Sequence, residues 1–175
     1  QLDEPAWAQA ARLTAFSAYS PVDGREADEE TEVLVFYSAT AIHFAARAQA
    51  APGSVRATLA NRDHLDTEDQ VRIFLSTFDD GRQAFYFAVN PLGVQADGTL
   101  VEGVVKQANG FDGLATGRED PDLNPDFVFD SKGRLTPEGY QVELRIPFKT
   151  LRFSSQGQQT WGLHVTRMRQ SRGLE

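Results

Sequence analysis

At 175 residues, with 41% hydrophobic and 24% charged residues, the chain has the length of one domain and a globular composition, which excludes an intrinsically disordered segment. Its 25 acidic against 17 basic residues leave a net charge of -8, which phosphate backbones repel, so a nucleic-acid partner is excluded. There is no apolar run of about 18 residues to span a bilayer, and the absence of cysteine excludes disulfides, thiol catalysis and cysteine-ligated metals.

Asp3 to Ala11 reads as a short helical opening, after which strands alternate with clusters of Gly, Pro, Asp and Asn. Glu32 to Ser38 is a near-continuous apolar run, as expected of a strand covered on both faces. Ile42 to Gln49 alternates, with Ile42, Phe44, Ala46 and Ala48 on one face and His43, Arg47 and Gln49 on the other. Ser38 to Ala41 forms the hairpin turn between them. Val71 to Phe78 sets Val71, Ile73 and Leu75 against Arg72, Phe74 and Ser76, and Ala84 to Asn90 returns antiparallel after a turn at Asp79-Asp80-Gly81. A short strand at Val94 to Ala96 follows the Asn90-Pro91-Leu92-Gly93 turn.

From Glu102 to Pro137 Gly and Pro punctuate the pattern, and the segment reads as a long loop or an irregular pair of short strands. Gly139 to Ile146 resumes strict alternation, with Tyr140, Val142, Leu144 and Ile146 inward and Gln141, Glu143 and Arg145 outward. Phe148 to Leu151 makes one helical turn. The last strand, Trp161 to Arg169, directs Leu163 and Val165 to the core and His164, Thr166 and Met168 away from it. About seven antiparallel strands with short turns predict an all-β, jelly-roll-like two-sheet sandwich with a helical turn at its N-terminus. Residues 1–175 form one domain, and Gln1-Leu2-Asp3 reads as the interior of a longer chain, whose export leader, if it had one, is already removed.

Several stretches, spanning nearly the whole chain, resemble family-9 carbohydrate-binding modules. Leu2-Asp3-Glu4-Pro5-Ala6-Trp7 is similar to the family's LDEPxW opening, and Thr31-Glu32-Val33 with Ala41-Ile42-His43-Phe44 to its paired strand motif. Asp69-Gln70-Val71-Arg72-Ile73-Phe74-Leu75 resembles D-x-V-x-I-F, and Gly139 to Glu143 with Ile146 to Leu151 resembles GYxVE…IPxKxL. Phe87 to Gly98 looks like a subgroup in which the module precedes an outer-membrane β-barrel of unknown function. The resemblance implies a β-sandwich, a glycan or oligosaccharide ligand, structural Ca²⁺ in some members, a barrel partner in the parent chain, and a periplasmic or outer-membrane setting in a Gram-negative bacterium. At positions where sugar-binding members carry a stacking tryptophan, an acid and an arginine, this chain has Asp66, Arg72 and Ala88; His164, Thr166 and Met168 stand where amides contact sugar.

Alternation predicts one polar sheet face carrying Arg72, Tyr86, Gln141, Glu143, Arg145 and His164, suited to sugar hydroxyls, with an ordinary solvated face of cross-strand ion pairs as the alternative. The acidic turn supplies Asp63, Asp66 and Asp69, with Glu68, as candidate Ca²⁺ ligands or as solvated turn residues. Trp7 and Trp161 read as core plugs or edge covers, with stacking platforms as the alternative. The three histidines lack metal-ligand spacing, and no nucleophile elbow is present. The expected function is therefore a non-catalytic carbohydrate-binding module; the alternatives are a structural module docking on an attached barrel or partner protein, and a glycoside hydrolase.

Overall fold

The computed structural model describes residues 5–18, 24–78, 80–101, 121–155 and 157–170. A 3₁₀ turn over Pro5–Gln9 leads into β1 (Ala11–Leu13), so the expected helical opening is a single turn followed by an edge strand. A two-residue ladder, β2 (Ser17–Ala18) with β3 (Arg25–Glu26), precedes the main strands. These are β4 (Thr31–Tyr37), β5 (Ala41–Gln49), β6 (Gln70–Ser76), β7 (Gln83–Val89), β8 (Gln95–Val101), β9 (Asp130–Thr136), β10 (Gly139–Pro147) and β11 (Gly162–Met168). A second 3₁₀ turn, Phe148–Thr150, follows β10.

Two antiparallel sheets stack face to face. One runs β1-β4-β5-β10-β9 and the other β11-β6-β7-β8. The alternation of β5 and β10 turns Phe44, Ala46, Tyr140, Val142, Leu144 and Ile146 inward, where they meet Val71, Ile73, Leu75, Phe87 and Val89 of the facing sheet in one buried cluster. Each Val, Leu, Ile and Phe among them contributes about 1.5–3 kcal/mol on leaving water, enough in sum to hold a two-layer β-fold together without disulfides. The β4–β5 hairpin closes as expected at Ser38, whose N–H donates to the Ala41 carbonyl at 2.8 Å and whose Oγ accepts the Ala41 N–H at 3.2 Å. No helix among the described residues is long and apolar enough to cross a membrane.

Three elements differ from the sequence reading. The short strand expected to start at Val94 to Ala96 runs to Val101, although its inward positions Gln95, Asp97 and Thr99 are polar. The segment read as a long loop or an irregular pair of short strands contains β9, a full seven-residue partner of β10; residues 102–120 of that segment lie outside the described residues. Leu163, expected in the core, has inward parity but is 39% exposed on the edge strand, while Val165 packs against the core.

The outer face of the four-stranded sheet is half covered. Gly98 pairs with Tyr86, and the main chain of Asp122 bridges Thr99. A Cβ at Gly98 would collide with the Asp122 carbonyl oxygen, so the glycine lets that segment lie on the sheet. Leu65 and Leu123 then close over Tyr86, Ala88 and Ala96. Among the described residues, the half left open is the strip formed by β6 and the edge strand β11.

Candidate functional site

The predicted polar row does not lie on one face. Arg72, Tyr86 and His164 sit on the outer side of the four-stranded sheet, whereas Gln141, Glu143 and Arg145 sit on the outer side of the five-stranded sheet, directed the opposite way. Period-two alternation gives the side of a strand on which a residue stands, but carries no information on which sheet the strand joins.

On the five-stranded sheet the outward side chains form a charge lattice. Arg145 meets Asp130 at 3.1 Å, and Glu32 accepts from both Arg12 and Arg47 at 2.6 Å. Glu143 stands between Ala45 and Lys132 in register. Phe36 stacks on His43 with centroids 4.5 Å apart, and Trp7 meets Phe36 edge-on. Trp7 is buried, as expected of a plug. Burial, and then the Arg145 charge, lower the His43 pKa below the ordinary imidazole value, which favours the neutral ring against Phe36. Trp161 is likewise taken up in an aromatic cluster with Phe148 and Phe153.

The open strip of the other sheet is built differently. On β6 the outward side chains are Gln70, Arg72, Phe74 and Ser76; on β11 they are His164, paired with Phe74, Thr166, paired with Arg72, and Met168, paired with Gln70. Tyr86, Phe74 and His164 form a row of rings across β7, β6 and β11, with centroid separations of 5.3 and 5.8 Å. Tyr86 is only 3% exposed under Leu65, so it supports Phe74 from below the surface and is no platform itself; Phe74 is half-buried and His164 exposed. Gln70, fully buried, orders the polar part. Its amide donates to the Leu65 carbonyl at 2.8 Å, and its Oε1 accepts from Arg72 Nε at 3.1 Å and from the Tyr86 hydroxyl at 3.4 Å. Gln70 and Phe74 were not singled out in the sequence, where one outward phenylalanine in an alternating strand is an ordinary surface residue.

The acidic residues divide. Asp69 is buried and saturated by main-chain donors, Gln170 N–H at 2.6 Å and Arg56 N–H at 3.3 Å. Glu68 accepts from the Thr58 amide and hydroxyl. Asp66 is exposed, and only its carbonyl is engaged, by the Gln170 side chain. The expected trio Asp63, Asp66 and Asp69 is thus not gathered: Asp69 bonds Gln170 and Arg56, Asp63 bonds the Asp97 N–H, and Asp66 is engaged through its carbonyl.

Asp63 instead joins Asp97 and Asp126, from two distant segments, with carboxylate oxygens within 4.8 Å of one another. These residues do not fit a calcium ion, because Arg62 already supplies the cation. Its guanidinium bonds Asp97 Oδ1, the Gln95 side chain at 2.6 Å and the Phe127 carbonyl at 2.8 Å, and its Nε lies 3.8 Å from Asp63 and 3.9 Å from Asp126. The second oxygen of Asp97 accepts the Phe127 N–H, and Asp63 Oδ1 accepts the Asp97 N–H at 3.0 Å. Both Asp97 oxygens and one of Asp63 are thereby engaged, and the guanidinium among the three carboxylates repels a second cation. Burial raises the Asp97 pKa, opposed by the Phe127 N–H and by Arg62.

The two-sheet sandwich is a fold that solved structures share. Among solved structures, the chain is similar to a protein from Bacteroides uniformis ATCC 8492 provisionally assigned as carbohydrate-binding, with TM-score 0.62 and 12% identity over 93% of this chain and 72% of that one. It is also similar to a family-9 carbohydrate-binding module from Caldicellulosiruptor kristjanssonii in complex with glucose, with TM-score 0.53 and 16% identity over 93% and 68% of the two chains. A structure of a family-9 module from the same organism with cellotriose aligns with TM-score 0.50 and 16% identity over 94% and 75%. No family model and no curated protein sequence matches the chain.

Proposed function

We propose that this chain is a non-catalytic carbohydrate-binding module whose ligand lies along the β6–β11 strip. The observation that carries the reading is the row of rings from Tyr86 through Phe74 to His164, ending in a half-exposed and an exposed ring beside Arg72 and Thr166. Such a row offers flat apolar area to the C–H face of a sugar, with donors and acceptors alongside for its hydroxyls. The fold shared with glucose- and cellotriose-bound modules supports the same reading. A glycosidase needs two carboxylates across the scissile bond, and no outward position of β6, β7, β8 or β11 is Asp or Glu. The charge lattice carrying Glu143 and Arg145 is read as a solvated face.

The test is calorimetry against mono-, oligo- and polysaccharides. At least one should bind, and His164→Ala, a surface change that leaves the fold intact, should weaken binding by roughly fivefold to tenfold, the loss of one ring contact. Absence of heat from every glycan at millimolar concentration would overturn the reading.

One observation favours a second reading, docking on an attached membrane barrel of an exported parent chain. Tyr37, Phe78 and Val128 are 79%, 53% and 73% exposed at the end of the sandwich gathered by the 148–152 segment, where Thr150 bonds the Val128 carbonyl and Thr77 the Arg152 carbonyl. Capture of the remaining polypeptide by the isolated module, unchanged by added sugar and lost in Tyr37→Ser/Val128→Ser, is the result that reading expects.

A further inference from the structure

The arginines of this acid-rich chain are, for the most part, matched. Arg12 and Arg47 share Glu32, Arg62 holds Asp97, Arg145 meets Asp130, and Arg167 and Arg169 meet Glu29. Arg72 is different. It stands mid-strip, half-buried, between Ala88 and Thr166, and its partner among the described residues is the uncharged Gln70, which engages Nε alone. The terminal guanidinium nitrogens have no protein partner there, and no carboxylate occupies an outward position of the four strands. Asp66, on the bordering turn, makes no ion pair with it.

A guanidinium donates and never accepts, and its planar fork matches two anionic oxygens better than a single hydroxyl. Gln70, itself tied to the Leu65 carbonyl and to Tyr86, fixes the fork in advance, so the ordering cost of a long side chain is reduced before any ligand arrives. The net charge of -8 opposes a polyanion at long range, but at physiological salt charges beyond about 8 Å are largely screened. The local pair decides. Resting on the carbohydrate-binding reading, we infer that the ligand is an acidic glycan, whose carboxylate or sulfate docks on Arg72 while a ring face lies on Phe74 and His164.

Calorimetry with matched pairs tests this: an oligogalacturonate beside its methyl ester, and a sulfated galactan oligosaccharide beside its desulfated form. In one pair the anionic member should bind roughly tenfold to a hundredfold more tightly, the scale of a charged hydrogen bond, and its affinity should fall as salt rises. The pair showing the preference identifies the source of the anion. Arg72→Gln should reduce the anionic member to the affinity of the neutral one, with Arg72→Lys between. Equal binding of both members, or a preference that survives Arg72→Gln, overturns the inference and leaves the carbohydrate reading standing. No binding by any glycan, neutral ones included, overturns both.

Discussion

Arg167→Ala is expected to destabilise the fold by about 3 kcal/mol, toward the low end of what loss of one partner from a buried charged network costs. For a chain of this length that lowers the melting temperature by roughly 6–12 °C. Arg167 stands on the inner side of β11, where it crosses to the other sheet: its guanidinium bonds Thr31 Oγ1 at 3.1 Å, Glu29 at 3.2 Å and the Gln49 carbonyl at 2.6 Å, and lies over the Tyr140 ring. One side chain thereby ties the edge strand of one sheet to β4, β5 and β10 of the other. Burial pushes the Tyr140 hydroxyl up to about 12, against the pull of the nearby Arg167 charge, so the phenol stays neutral beneath the cation. The loss stays below the upper limit because Arg169 still pairs with Glu29 at 2.9 Å. Thermal denaturation of Arg167→Ala beside Arg167→Met separates the contributions: Met keeps much of the apolar stem, and recovery of the greater part of the lost stability by Met would show that packing, not the polar clamp, joins the sheets.

The strands that pack only apolar groups were legible in the sequence. In β5, β6 and β10 every second residue enters the core, so period and face follow from alternation alone. β8 and β9 were not. The inward Gln95 of β8 bonds the Phe129 carbonyl and Ser131, and Asp97 bonds Arg62 and Phe127, so the open edge of the sandwich is closed by polar contacts and the hydrophobic period is erased. β9, at the rim of its sheet, exposes Lys132, Arg134 and Leu135 and buries none of its side chains. The site was half legible for a related reason. Alternation placed Arg72 and His164 outward, but Tyr86 is covered by Leu65, from a turn ahead of β6, and Glu143 and Arg145 belong to the other sheet. Both facts depend on topology, which a periodicity does not contain. The motif stretches carried more, since together they implied a sandwich that the structure and its neighbours show.

Arg62→Ala is expected to cost about 3 kcal/mol near neutral pH, because it leaves the fully buried Asp97 carboxylate without its counter-ion beside Asp63. The pH dependence distinguishes this cause from lost packing. Asp97 has a raised pKa in the folded chain, so the fold binds its proton more readily than the unfolded chain does; acidification through the interval between the two values favours the fold, and the penalty is complete above the folded value. Removing Arg62 takes away a downward influence, moves the folded value higher and widens that interval. The difference in melting temperature between variant and parent should therefore be smaller at about pH 5 than at about pH 8. Asp97→Asn in the Arg62→Ala background should restore part of the loss, because no charge is then stranded. A gap that stays constant with pH and is not narrowed by Asp97→Asn would assign the loss to the contact of the Arg62 guanidinium with the Phe129 ring instead. In the parent protein, where the guanidinium already holds the three carboxylates, excess calcium or a chelator should leave the melting temperature unchanged; an increase with calcium would show that an ion is held in addition to Arg62.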